Sequence, residues 1–301
     1  KAKRTASFVV SQFQFDNLFS LKTITTISEL QTTISEIKKL KKTIAFVPTM
    51  GALHEGHLSL FQQPNHAKAD VVFASIFVNP KQFNQIEDLE KYPRNLSADE
   101  QLLSGIGVDY LFAPTVEEMY PPDYQEPGFS FGYLEEILEG AFRPGHFKGV
   151  GVVVSRLLEL IQPNFLCMGE KDLQQCKVVA SLLQQMEVPS EILVVMPTVR
   201  EESGLAMSSR NMRLSTSGKE KASEIFKTMI WVKENFSTTD WETLAIQGKE
   251  RLELEGFQVE YFEIRHWNSL LPLQNNSQKG VLLVAAYLEG IRLIDNLALS
   301  N

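Results

Sequence analysis

Short apolar runs rich in Val, Ile and Phe recur along the first two-thirds of the chain, at 43–48, 70–78, 108–112, 164–168 and 191–196. They are near-continuous rather than alternating, which predicts strands buried on both faces. Between them, apolar residues fall at helical spacing near 57–68, 96–104, 147–161 and 172–186. Strands alternating with helices predict an α/β fold in which a parallel sheet carries helices on both faces. Such sheets bind ligands beyond the carboxyl ends of their strands. The polar motifs at 48–57, 79–83 and 169–175 all fall at those ends.

After about residue 197 the pattern changes. Helical spacing at 217–235 and 240–255 precedes strand-like runs at 258–265 and 280–288, with a polar Gln- and Asn-rich loop at 273–278 between the strands. This predicts a smaller C-terminal α+β domain at 198–301, joined near Pro197 to a larger domain at 21–197. Residues 1–20 begin basic and include Phe8, Val9 and Val10, but lack the apolar core of a signal peptide; they read as an extension.

Composition narrows the function classes. The 301 residues suffice for one large domain and a smaller one, and 44% hydrophobic with 22% charged is ordinary for a soluble enzyme. A balance of 29 basic against 37 acidic residues, net −8, argues against broad nucleic-acid or anionic-membrane binding. No apolar run reaches the roughly 18 residues that span a bilayer. Cys167 and Cys176 form neither a metal spacing nor a disulfide framework, which predicts a reducing, cytoplasmic setting.

The strongest chemical signal is Pro48-Thr49-Met50-Gly51-Ala52-Leu53-His54-Glu55-Gly56-His57. A strand, a turn of small residues and a helix start aim backbone N–H groups and the positive helix end at one point, where a phosphate fits. His54 and His57, three residues apart on the first helical turn, both reach that anion. The stretch is similar to the His-x-Gly-His signature of nucleotidyltransferases, which attack the α-phosphate of a nucleoside triphosphate.

Other polar clusters are weaker on their own. In Val78-Asn79-Pro80-Lys81-Gln82-Phe83 the amides of Asn79 and Gln82 suit a substrate bearing a carboxylate and hydroxyls, or serve a capped turn. Asp99 could reach a magnesium ion through water, or stand exposed on a helix face. The loop Ala141 to Gly149 holds Arg143, His146 and Lys148, and either folds over an anionic substrate or gives a helix a pliable start. In Gly169-Glu170-Lys171-Asp172 the lysine is placed as a point charge against a triphosphate, and Gln175 points back toward the strand ends. Asp172 also reads as a helix cap. Met207-Ser208-Ser209-Arg210-Asn211, following Arg200, is a phosphate clamp or a surface loop.

Seven motifs taken in order resemble the pantoate–β-alanine ligase (pantothenate synthetase) family. They are Pro48 to His57; Ser75 to Pro80 with Gln82-Phe83; Tyr92-Pro93-Arg94; Arg143-Pro144-Gly145-His146-Phe147; Gly169 to Asp172 with Gln174-Gln175; Ser208 to Asn211; and Arg292-Leu293-Ile294-Asp295-Asn296. The resemblance spans about residues 21–298. It implies a Rossmann-like first domain, a C-terminal lid domain and a homodimer. It also implies a two-step reaction that yields pantothenate, the coenzyme A precursor. ATP and (R)-pantoate, with magnesium, give pantoyl adenylate and pyrophosphate; β-alanine then releases pantothenate and AMP. By the same resemblance Met50, Gly51, Ala52, Leu53, His54, Glu55, Gly56 and His57 line the ATP site with Gly169, Glu170, Lys171, Asp172, Val199, Met207, Ser208, Ser209 and Arg210. His54 and His57 stabilise phosphate charge, His57 being the family's proton donor, with Lys171 and Arg210 beside them. Gln82 and Gln175 hold pantoate, and Gln82 also touches β-alanine; Asn79 and Arg143 join this substrate set.

Some positions depart from the family pattern. Ser203 stands where aspartate is common, Met207 where leucine is, and His266 where aspartate is; Pro64 falls inside the helix expected after His57. Two alternatives stay open on sequence. A related cytidylyltransferase or aminoacyl-tRNA synthetase fragment would share the His-x-Gly-His core but lack the motifs at Asn79/Gln82 and 143–146. A silent nucleotide-binding protein would have lost a histidine, Lys171 or Arg210.

Overall fold

The computed structural model describes residues 21–62, 68–84, 86–275 and 277–299. Nine strands form two sheets among these residues. The first sheet contains β1 (Lys22–Ile24), β2 (Ile44–Thr49), β3 (Val71–Ile76), β4 (Tyr110–Phe112), β5 (Phe165–Gly169) and β6 (Leu193–Met196), in the order β1-β4-β3-β2-β5-β6. Every pairing in it is parallel. In β2, at the centre of this order, Ile44, Ala45, Phe46 and Val47 are all buried, as expected of a strand covered on both faces.

The strand order turns back on itself at β2, with β3 on one side and β5 on the other. A crevice opens there beyond the strand ends, the usual ligand position in such sheets. Its floor is the helix His146–Ile161. This helix is buried nearly all round, with 13 of its 16 residues inaccessible. It shares one apolar cluster with the helices Ile27–Lys39 and Leu173–Gln185 and with the sheet. That environment outweighs the modest helix propensity of Val150, Val152, Val153 and Val154.

The second sheet is antiparallel: β7 (Gln258–His266), β8 (Gly280–Leu288) and β9 (Ile291–Leu299), in that order. Successive side chains of β8 point to opposite faces. Leu282, Val284 and Ala286 pack under the helices Thr216–Asn235 and Trp241–Leu254. Val281, Leu283 and Ala285 join the cluster of the first sheet instead. The unbroken apolar run at 280–286 therefore records a strand covered on both sides.

The expected parallel sheet and its C-terminal α+β partner are both present. The elements not anticipated include β1, β9 and the helices Ile27–Lys39, Ile86–Glu90, Val116–Met119 and Leu138–Phe142. The helix after His54 is also shorter than 57–68, running from Glu55 to Leu58. Residues 63–67, including Pro64, and the extension at 1–20 lie outside the described residues.

Candidate active site

β2 ends at Thr49, and the chain turns through Gly51 (φ 82°) and Ala52 (φ 51°) before the Glu55–Leu58 helix. The left-handed backbone at Gly51 suits glycine. A Cβ there would also lie 3.0 Å from Asp99 Oδ2. Asp99 clamps the turn from behind: Ala52 N–H donates to Oδ2 at 2.9 Å and Leu53 N–H to Oδ1 at 2.8 Å. This corrects both expectations for Asp99. Its carboxylate is 3% exposed and committed to backbone donors, not set out on a helix face or offered to magnesium.

The turn presents His54 and His57 as a tilted pair with ring centroids 4.0 Å apart. Gly56 makes room for this pairing, since a Cβ there would crowd the His54 ring at 2.9 Å and Met207 Cβ at 3.2 Å. Burial, then the charge of Lys171, lowers His54 to a pKa of about 4. Burial, then His54 and Lys171, lowers His57 to about 3. Both rings are therefore neutral at pH 7.

A cavity of about 240 Å³ opens in front of them. One part of its wall is Met50, His54, Gly56, His57, Gly169, Lys171 and Asp172, closed by Val199 and Met207 to Arg210. Gln82 and Gln175 also line it, beside the apolar side chains Phe77, Val150, Val153, Val154, Leu157 and Met168. The Met207–Arg210 segment is fastened to the His-x-Gly-His turn, because Ser209 Oγ donates to Ala52 O at 3.0 Å. Arg210 donates to Asp88 Oδ2 at 3.0 Å, and Arg213 pairs with the same carboxylate at 3.5 Å.

Gln82 is held by several partners. Asn79 Nδ2 donates to Gln82 Oε1 at 3.2 Å and to Gly149 O at 3.1 Å, and Asn79 Oδ1 accepts from Tyr120 OH at 3.0 Å. His146 Nδ1 lies 2.8 Å from Gln82 O. A carbonyl only accepts, so that nitrogen carries the proton. Burial, then Arg143, keeps His146 at a pKa of about 4.

A family model described as pantoate-beta-alanine ligase matches residues 22–298. The pantothenate synthetase of Pseudomonas entomophila is 43% identical over 93% of this chain and 98% of its own length. That of Cytophaga hutchinsonii is 44% identical over 92% and 98%. The chain belongs to the pantoate–β-alanine ligase family. Among solved structures, a pantothenate synthetase of Thermus thermophilus superposes with a TM-score of 0.86 at 39% identity, covering 93% of this chain and all of its own. The Francisella tularensis pantoate–β-alanine ligase, complexed with a β,γ-ATP compound and β-alanine, superposes with a TM-score of 0.77 at 34% identity. It covers 93% of this chain and 98% of its own.

Within this ligase, the residues expected from sequence divide into three groups. The cavity brings together Met50, His54, Gly56, His57, Gly169, Lys171, Asp172, Val199, Met207, Ser208, Ser209, Arg210, Gln82 and Gln175. Gly51, Ala52, Leu53, Glu55 and Glu170 shape its rim without lining it. Asn79 and Arg143 do not line this cavity, which corrects the placement of Asn79 as a substrate contact. Asn79 is fully buried behind Gln82. Arg143 pairs with Glu139 at 3.4 Å in a smaller neighbouring cavity that shares Lys171, Asp172 and Gln175 with the first. Asp172 occupies the cap position of the Leu173–Gln185 helix without a capping hydrogen bond.

Sequence reasoning missed Thr198 and the apolar wall, and gave no site role to Tyr92 although it stands in the Tyr92-Pro93-Arg94 motif. Thr198 Oγ1 is buried in the cavity wall with no hydrogen-bond partner among the described residues. The Val spacing on 146–161 is what core packing alone also produces, so nothing in the sequence marked that face as a binding surface. Of the family departures, Ser203 Oγ accepts from Leu205 N–H at 3.3 Å, and His266 Nδ1 lies 3.0 Å from Ser269 Oγ in a local turn.

Proposed function

We propose that this ligase joins (R)-pantoate to β-alanine through a pantoyl adenylate formed in the His54/His57 cavity. The observation carrying this reading is that His54, His57 and Lys171 share one enclosure with Gln82 and Gln175. The first group suits a triphosphate, and the amides with the apolar floor suit a branched hydroxy acid. A pantoate carboxylate oxygen bonds to the α-phosphorus of ATP as the bond to pyrophosphate breaks. The free amine of β-alanine then bonds to the acyl carbon, the bond to AMP breaks, and the amine proton leaves.

Both steps need anions held against each other more than they need a nucleophilic side chain. Lys171 supplies the fixed positive charge. The histidines donate from their ring N–H groups to phosphate oxygens, with His57 the proton donor. Arg210 and the hydroxyls of Ser208 and Ser209 close over the phosphates; Met50 to Gly56 and Val199 contact the nucleotide. Arg143 serves the amino-acid side through the smaller cavity.

Among the described residues no three His, Cys, Asp or Glu side chains gather to hold a metal. Magnesium bound to the triphosphate would take most of its ligands from phosphate oxygens and would supply neutralisation of their charge beside Lys171. The active form is a homodimer. Two free, buried cysteines support a reducing, cytoplasmic location. Among the described residues no helix is long and apolar enough to cross a membrane.

The deciding assay supplies ATP, magnesium and (R)-pantoate with and without β-alanine, and follows pyrophosphate, AMP and pantothenate. AMP and pantothenate in equal amounts, only with β-alanine, is the expected result. Turnover without pantoate, or none at all, overturns the reading.

A further inference from the structure

Lys171 sits at the end of β5 in a single 3₁₀ turn, Glu170–Asp172. A short turn of this kind fixes a side chain poorly without outside support. The support comes from the other sheet. The amino group of Asn296, on β9, donates one hydrogen to Glu170 O at 2.8 Å and the other to Lys171 O at 2.9 Å. Both protons of one nitrogen are thus used to hold two successive carbonyls flanking the Lys171 backbone.

Asn296 is itself anchored. It is 5% exposed, and its backbone N–H donates to Asp295 Oδ1 at 2.7 Å. Arg200 grips Asp295 through both terminal nitrogens, at 2.5 and 2.9 Å, and also donates to Asn296 O at 3.2 Å. The Arg200 guanidinium stacks 4.1 Å from the centre of the Phe226 ring. Arg200 follows Val199, whose carbonyl accepts from Met207 N–H at 3.0 Å. The pair Asp295–Asn296 is therefore the joint through which the C-terminal sheet touches both the Lys171 turn and the base of the Met207–Arg210 segment.

We infer that Asn296 is a positioning residue that sets Lys171 against the nucleotide phosphates. This rests on the adenylate-forming role of Lys171 proposed above. A displacement of about 1 Å in such a group costs on the order of a hundredfold in rate.

The test is a double-mutant cycle on pantoate-dependent ATP–pyrophosphate exchange, without β-alanine, using Asn296→Ala, Lys171→Ala and the combination. Asn296→Asp serves as an isosteric second variant, retaining volume while an oxygen replaces the donor. The inference expects Asn296→Ala and Asn296→Asp to lower the exchange rate by about tenfold to a hundredfold. It also expects neither change to add a further loss once Lys171 is alanine, while losses in melting temperature from the two sites add. Rate losses that multiply in the combined variant, or wild-type exchange in a folded Asn296 variant, overturn it. Wild-type exchange in Lys171→Ala alone would instead overturn the underlying reading of Lys171.

Discussion

His54 and His57 lie with ring centroids 4.0 Å apart, and neither Nδ1 has a hydrogen-bond partner among the described residues. With pKa values of about 4 and about 3, both rings are uncharged near neutrality, so in the free protein the cationic charge at this wall comes from Lys171. A bound triphosphate adds the opposite charge and raises both values. The complex then binds more protons than the free protein, and affinity for magnesium–ATP strengthens as pH falls toward 4. Calorimetry of nucleotide binding in buffers of different ionisation enthalpy, between about pH 5 and about pH 7, reads the uptake directly. Uptake that disappears in His54→Gln and His57→Gln is expected; proton-neutral binding in the native protein would show that both rings act as neutral donors throughout.

Removing either histidine tests the electrostatic account of the first step. A donor aimed at developing phosphate charge contributes about 3 kcal/mol to the barrier. His57→Ala should therefore slow pyrophosphate release about a hundredfold or more, with little change in melting temperature, because the ring leaves no polar partner behind. A loss under tenfold in single-turnover kinetics would place the stabilisation elsewhere, with Lys171 and Arg210.

Acid should destabilise the fold in two stages. His54, His57 and His146 are held below the ordinary 6.5, at about 4, 3 and 4. Between 6.5 and those values the unfolded chain binds more protons than the folded one, so stability falls as pH falls through that window. Glu139 behaves with the same sign lower down. Burial pushes its pKa up, but Arg292, then Tyr261 and Arg143, outweigh burial and bring it to about 2 from 4.5. Its contribution is complete above 4.5 and lost as pH falls toward 2. Melting temperature should hold above about 6.5 and drop below it, with His146→Asn softening the first limb. Each tenfold difference in proton affinity between the folded and unfolded ring is worth roughly 1.4 kcal/mol. A flat profile down to pH 4.5 would contradict the burial of these rings.

The sequence made the first sheet legible because its strands are unbroken apolar runs, and the site legible because its motifs sit at strand ends. β1 and β9 were hidden for different reasons. Lys22-Thr23-Ile24 is too short to show a period. β9 carries Arg292, Asp295 and Asn296, whose polarity reads as surface although Asp295 and Asn296 are buried in hydrogen bonds to other segments. Asn79 and Asp99 show the same blind spot. A buried polar side chain that braces a loop has the same sequence signature as one that meets a ligand, and only its partners distinguish the two.

Glu139 is the clearest stability test. Its carboxylate accepts from Arg292 at 2.7 and 2.9 Å and from Tyr261 OH at 2.6 Å, joining the 138–142 helix to the second sheet. Glu139→Ala leaves the Arg292 guanidinium half-paired and the Tyr261 hydroxyl unpaired in a site that is almost closed to water. A loss of about 3–5 kcal/mol is expected. Denaturant unfolding followed by intrinsic fluorescence measures it, and a loss below about 1 kcal/mol would mean that solvent or Glu260 takes over the pairing.

Gly149 links core packing to the Gln82 side of the site. It lies on the His146–Ile161 helix, where alanine is normally favoured over glycine by about 1 kcal/mol. Here a Cβ would overlap the carbonyl of Lys81 and stand 2.7 Å from Gln82 N. The helix and the Pro80–Gln82 turn touch at this point, and Gly149 O also accepts from Asn79. Gly149→Ala must push the turn outward and carry Gln82 with it, while the His54/His57 wall on the far side keeps its own bracing through Asp99. KM for pantoate should rise and kcat fall, together by about a hundredfold, with KM for ATP within about twofold of native. Equal losses for both substrates would indicate that the whole crevice, rather than the Gln82 turn, had moved.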